Sequence, residues 1–273
     1  MPRWILGLGV LTAWAGAMTW RVERDCLPRW REDDRTSYRG MLQGKLPRQD
    51  RFRLSLRGRE VGDLATSASR EPDGTIALRQ QVELDASALR SALPALAFLG
   101  GAAALDGPIA FRLKLTLSPR YVLTGFSLVG SLGSTPFRGG GVVGPKGLEG
   151  TVGIGKVGQE SVHLLSLPLD PTKPISMGLS PLDTAPDLPV GAAWDLSVLN
   201  PLTGKPEILH ARVDGAETLV VKGRRSLARR IAITHPYGTA TVWVDREGRV
   251  LKQSMLGMEA TRVEEGGTLE DAP

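Results

Sequence analysis

Few side chains in this 273-residue sequence could take part in making or breaking bonds, and their spacing works against it. A thiol nucleophile needs a histidine within hydrogen-bond reach, and commonly a helix N-terminus, to hold it as a thiolate. The single cysteine, Cys26, lies far ahead of His163, His210 and His235 in the chain. Two of these histidines sit in strand-like sequence and His235 precedes Pro236, so there is no H-x-x-x-H or H-x-x-E-H grouping to hold a metal. One cysteine also rules out an internal disulfide and leaves too few soft ligands for structural zinc. Asp183, Asp187, Asp195 and Asp214 could supply an acid–base pair, but turn capping accounts for aspartates in such contexts. The sequence therefore predicts no catalytic residue, no metal and no cofactor, and a protein that is not an enzyme.

Two phosphate-loop patterns occur in the glycine-rich stretch Gly125 to Gly158. Gly153-Ile154-Gly155-Lys156-Val157-Gly158 fits G-x-G-x-x-G, and Gly150 to Lys156 fits G-x-x-x-x-G-K. Their surroundings refuse both. A Walker loop needs Ser or Thr after its lysine, where Val157 stands, and a dinucleotide loop needs a buried strand before it and a helix after it. The stretch reads instead as glycine-rich strands or loops. A basic cluster, Lys222, Arg224, Arg225, Arg229 and Arg230, has the chemistry to meet an anionic surface, although a solvated strand edge explains the same residues. The net charge of +5 is spread along the chain rather than gathered in a tail, so no nucleic-acid partner is expected.

The elements that carry these residues are mostly strands. With 33 Gly and 19 Pro and few aromatics, the chain is rich in turns, which disfavours a helical bundle. Residues 4–20 carry no charge and are bounded by Trp4 and Trp20, which predicts a transmembrane signal-anchor contacting the lipid bilayer. Small residues at Ala13, Ala15 and Ala17 leave open a cleaved signal peptide. The arginines that follow (Arg21, Arg24, Arg29, Arg31 and Arg35) count toward a cytoplasmic domain, whereas a short anchor ahead of a β-rich domain argues for export. The expectation adopted is a single-pass inner-membrane protein with its bulk in the periplasm. Residues 21–50 read as a charged juxtamembrane stalk.

From Phe52 the apolar period is two, with Phe52, Leu54 and Leu56 alternating with Arg51, Arg53, Ser55 and Arg57. Further strands are predicted at Val61–Ser69, Thr75–Leu84, Phe111–Leu117 and Tyr121–Val129, with turns at Gly58-Arg59-Glu60, Pro72-Asp73-Gly74 and Ser118-Pro119-Arg120. Asp85 to Leu105 breaks the pattern and predicts one short helix near 87–99, capped by Asp85 or Ser87 and kinked or split by Pro94. Its apolar side chains Leu89, Leu93, Leu96, Phe98 and Leu99 are the candidate ligand-binding residues, with simple packing on a sheet face as the other reading. Eight of the 19 prolines fall between Pro168 and Pro206, which marks 168–192 as an extended crossing segment. Strands follow at Ala193–Leu199, Ile208–Val213, Glu217–Val221, Leu227–Thr234, Thr239–Val244 and Arg249–Met255, including a turn at Asp214-Gly215. Residues 264–273 read as a disordered acidic tail.

The segment Val242-Trp243-Val244-Asp245-Arg246-Glu247-Gly248-Arg249-Val250-Leu251-Lys252-Gln253 resembles a terminal hairpin of two kinds of bacterial envelope domain. These are the β-rich region beside transglutaminase-like domains, and the curved-sheet periplasmic proteins related to lipoprotein carriers. Leu188 to Trp194 and Leu199-Asn200-Pro201 are similar to the same families, so the resemblance covers the last third of the chain. It implies an envelope β-domain. Together these observations predict a mainly β fold, an antiparallel curved sheet or β-sandwich, behind an N-terminal transmembrane helix. The function expected is binding of a hydrophobic or lipid-like ligand, with a scaffold or accessory role for a partner envelope enzyme as the alternative.

Overall fold

The computed structural model describes residues 37–88, 107 and 109–265, apart from 108, 157, 168–169, 173–174, 178–187, 201–204, 222, 236–237 and 256 within that span. The predicted membrane segment therefore lies outside the described residues. Among those described, no helix is long and apolar enough to cross a membrane.

Fifteen strands form one sheet in the order β8-β7-β6-β5-β4-β3-β2-β1-β15-β14-β13-β12-β11-β10-β9. The first wing holds β1 (Arg48–Leu56), β2 (Arg59–Arg70), β3 (Ile76–Leu84), β4 (Ile109–Leu117), β5 (Leu123–Leu132), β6 (Thr135–Gly144), β7 (Gly147–Ile154) and β8 (Ser161–Leu167). The second holds β9 (Ile175–Met177), β10 (Ala193–Asn200), β11 (Lys205–Val221), β12 (Arg224–His235), β13 (Gly238–Val244), β14 (Val250–Met255) and β15 (Met258–Glu265). Every neighbouring pair is antiparallel except β9–β10, so the fold is mainly β as the period-two pattern predicts. β1 and β15, from opposite ends of the chain, pair at the centre and join the wings.

The sheet is curled, with an inner and an outer face. Phe52, Leu54 and Leu56 point inward from β1, and Arg51, Arg53 and Ser55, which alternate with them, point outward. Residues from β1 to β4 share one buried cluster with Leu209, Ala211 and Val213 of β11, Ile231 and Ile233 of β12 and Val242 of β13. β11 and β15, four positions apart in the sheet order, come back into contact. Leu188, just ahead of β10, is buried in the same core.

The structure departs from the sequence reading in three places, and of the two readings of the glycine-rich stretch, strands or loops, it gives strands. Part of the predicted stalk is folded: a short helix, α1 (Tyr38–Leu42), is capped by Ser37, whose Oγ accepts from the Gly40 amide at 3.2 Å. Tyr38, Met41 and Leu42 bury themselves against Ala68, Ile76, Leu117 and Leu123, so the domain begins at or before residue 37. Asp214-Gly215 is a β-bulge and not a hairpin turn, because the residues on both sides of it continue to pair with β12. The glycine-rich stretch forms β6, β7 and parts of the adjoining strands. β15 extends to Glu265, into the predicted tail.

The turns behave as their residues require. Asp73 accepts from the Thr75 amide at 3.0 Å and the Thr75 hydroxyl at 2.6 Å, which holds its carboxyl below the usual value. Asp245 accepts from the amides of Glu247 and Arg249, and Gly248 takes φ +77, closing the β13–β14 hairpin.

Candidate functional site

Every second residue of β4 to β8 faces the concave side of the first wing. Cross-strand register sets Phe111 beside Gly130, Gly130 beside Phe137, and Phe137 beside Ile154. The next row runs Leu113, Leu128, Gly139, Val152 and His163. Farther along the strands, Phe126, Leu148 and Leu165 close over with Leu113 into a buried cluster. Nearer the β5–β6 turn the face is less covered. Ile154 is 42% exposed, Leu132 is 45% exposed, and Phe137 and Val152 are half-buried. The first wing thus presents an apolar concavity that the protein covers only in part, among the described residues.

The glycines of this region shape that concavity. A Cβ on Gly130 would lie 2.6 Å from the Phe137 ring, and one on Gly141 would lie 2.7 Å from the Phe126 ring. Each ring therefore occupies the space left by a glycine on a neighbouring strand, which lets rings lie flat on the sheet. Strands of this kind explain the G-x-G patterns without a phosphate. Gly150 and Gly153 are strand residues of β7, and the segment after them returns as β8, not as a helix whose N-terminus could hold an anion.

The structure places the other candidates apart. Asp85 begins a helical turn at residues 86–88, its Oδ1 accepting from the Ser87 amide at 2.7 Å. Leu89, Leu93, Leu96, Phe98 and Leu99 lie outside the described residues. The basic cluster is divided by strand alternation. Arg229 turns inward and donates to the Leu188 carbonyl at 2.9 Å, whereas Arg230 is exposed and sits beside Trp243 in the register. Arg225 is exposed nearer the β11–β12 tip, and the placements of Lys222 and the Arg224 side chain are not among those described.

Of the residues that could do acid–base work, Asp195 and His210 come together, with Oδ1 and Nδ1 2.6 Å apart on the outer surface. They are 66% and 75% exposed, so water screens the pair rather than sharpening it. Asp214 lies 3.7 Å from Arg212 in a separate ion pair, and Asp183 and Asp187 are outside the described residues. No group of three or more potential metal ligands occurs among the described residues.

One charged group escapes sequence reasoning altogether. On the inner face beside α1, the buried Asp50 carboxylate is held by Arg48 Nε at 2.6 Å and by Arg262 of β15. Asp50 is 1% exposed and Arg262 4%. The only local signal is an arginine and an aspartate two residues apart at the head of β1, both at inward positions.

No protein-family model matches the chain, and no curated protein matches it. Two solved structures are similar to it. One is a β-barrel-like protein of the DUF1849 domain of unknown function from Brucella abortus, 11% identical, covering 80% of this chain and 96% of its own, with a TM-score of 0.39. The other is the hypothetical lipoprotein YmcC from Escherichia coli, 15% identical, covering 89% of this chain and 96% of its own, with a TM-score of 0.27. At such distances neither likeness carries the functional reading.

Proposed function

We propose that the protein is a non-enzymatic, membrane-tethered domain of the bacterial cell envelope that holds a hydrophobic, lipid-like ligand in the concavity of its first wing. The tether is residues 4–20, and the observation that carries the ligand is the partly uncovered set of apolar side chains Phe137, Ile154, Val152 and Leu132, drawn from three adjacent cross-strand rows. Concave apolar surfaces of this kind bind by removing ligand carbon from water, with affinity that scales with buried area. Leu84 and Ile109, the strand residues on either side of the apolar segment 85–108 in sequence, pair with each other next to Leu132 at the β5–β6 end of the first wing. The uncharged run of residues 4–20, and not the described fold, supports the envelope address.

The test is a titration of N-phenyl-1-naphthylamine into the domain starting at Ser37, which keeps α1 in its core. A saturable rise in fluorescence is expected. Val152→Glu combined with Ile154→Glu should weaken it by about tenfold or more, since a carboxylate in the concavity must be desolvated or protonated. A linear, non-saturating response, or one the double variant leaves unchanged, would remove the ligand-binding reading.

A second reading, a scaffold for a partner enzyme, rests on the β8 edge. Its sequence, Ser161 to Leu167, has no Pro, Lys or Arg, and Leu164 is 88% exposed and Val162 61% on the outer face. Sheet edges left without charge or proline are templates for another strand. Leu164→Lys is expected to block such pairing and leave probe binding intact, as measured by co-purification of a defined partner and by the naphthylamine titration.

A further inference from the structure

β11 and β12 are longer than their neighbours can pair. β10 accompanies β11 only from Lys205 to Arg212, and β13 accompanies β12 only from Arg229 to His235. Beyond the bulge at Asp214, Glu217–Val221 and Arg224–Ala228 pair with each other alone, as a two-stranded ribbon standing off the sheet. An isolated two-stranded ribbon is marginal in water, so one that is kept needs anchors. This one has an anchor on each face at its base. Trp243 Nε1 donates to Glu217 on the outer side, and Arg229 reaches the Leu188 carbonyl on the inner side.

The upper part of the ribbon carries apolar groups that nothing among the described residues covers. Register puts Thr218 opposite Leu227 and Val220 opposite Arg225 on one face, with Val220 68% and Leu227 70% exposed. From Thr218 to Val244 the sequence holds no Asp or Glu, while Lys222, Arg224, Arg225, Arg229 and Arg230 fall inside that span. Exposed Val220 and Leu227 with exposed Arg225 on the same face, and with the ribbon's one carboxylate, Glu217, held by Trp243 at the base, fit one environment. Aliphatic side chains favour the acyl boundary of a bilayer, and cations favour its phosphates. A solvated edge strand explains the arginines but not the uncovered Val220 and Leu227 beside them.

We infer that the β11–β12 ribbon is a membrane-docking arm that inserts Val220 and Leu227 into the interface of a bilayer containing anionic phospholipid, with Arg225 and its basic neighbours on the headgroups. This contact is separate from the concavity and from the N-terminal apolar segment. It gives the domain a second point of attachment and so fixes its orientation to the membrane.

The test reads the arm itself, so that insertion of residues 4–20 cannot imitate it. In the full chain with Cys26→Ser, an environment-sensitive nitrobenzoxadiazole label is placed through Leu227→Cys, and a control label through Lys146→Cys in the β6–β7 turn. Vesicles of phosphatidylcholine containing about one third phosphatidylglycerol should blue-shift and brighten the label at 227, with no change at 146 and none with phosphatidylcholine alone. Salt should suppress the response, and Arg224→Glu with Arg225→Glu should weaken it at least about tenfold. Equal responses at 227 and 146, or no response at 227 with anionic vesicles, would overturn the inference. A blue shift that grows with protein concentration in the absence of vesicles would overturn it too, in favour of a protein partner. Failure of the naphthylamine titration leaves the arm unaffected, because the two experiments probe different wings.

Discussion

Asp50→Ala is expected to lower the unfolding free energy by about 3–5 kcal/mol, enough to consume much of the stability of an ordinary domain. The carboxylate lies at the centre of the sheet, where β1 meets β15, with Arg48 and Arg262 around it. Its removal leaves two guanidinium groups in a site that excludes water, and a buried charge stripped of its counter-charge is among the costliest single changes. The loss should be charge-specific. Asp50→Leu combined with Arg262→Met removes the carboxylate and the more buried of its two partners and fills the space with hydrocarbon, so it should recover part of the stability, Arg48 accounting for the rest, and urea denaturation of the three proteins measures it. If the double variant were no more stable than Asp50→Ala alone, the cost would belong to packing and not to the charge. The pair also ties the first described strand to the last, 212 residues apart, so the single variant should lose protection at both ends of the chain together in hydrogen exchange.

Gly62→Ala is expected to cost about 3 kcal/mol or more, the second large effect, for a purely steric reason. Gly62 follows the bulge that places Val61 in the core, and it has φ +153. A Cβ there would come within 2.0 Å of the Glu83 carbonyl oxygen and 2.9 Å of the Leu84 Cα, both backbone atoms that cannot move without breaking the β2–β3 ladder. Gly58 is the internal comparison. It has φ +79 in the β1–β2 turn and open space around it, so Gly58→Ala should cost only the backbone strain, about 1–2 kcal/mol. Thermal unfolding of the two variants separates a clash from a strained dihedral, and equal losses would place the whole effect in φ.

The hairpins from β1 to β5 were legible because their apolar residues recur strictly at every second position and their turns carry Asp, Gly and Pro where those residues are needed. The same logic misplaced Asp214-Gly215, since a bulge and a tight turn use the same two letters. What separates them is the partner strand, which lies downstream in the sequence. β6 and β7 were ambiguous because Gly139, Gly141 and Gly150 hold inward positions where a strand normally shows a side chain. The missing hydrophobicity comes from Phe126 and Phe137 on neighbouring strands, and a glycine paired with a cross-strand aromatic is the signal that could have found it. β15 drew no strand of its own within the C-terminal strand region, because the inward Arg262 interrupts its apolar alternation until Asp50 is placed beside it. The phosphate-loop patterns, set aside because Val157 follows the lysine and no helix was expected, lie on β7 and the connection into β8. The concavity was not visible, because its residues come from five strands and its openness depends on what does not cover them.

The strand order has a consequence for the chain as a closed figure. Every pairing joins sequence neighbours except β1 with β15, all of them antiparallel but β9 with β10, and β8 and β9 are sequence neighbours that do not pair. If the ends were spliced, the molecule would be a ring of hairpins in which the present termini are one arbitrary cut, made in the middle of the sheet. Moving the cut to the span between β8 and β9, with β15 linked to β1 through α1, would keep every ladder and turn the single far-reaching pairing into a local one. A circular permutant of that design removes the main loop-closure entropy from the folding transition state, so it should fold faster than the native ordering.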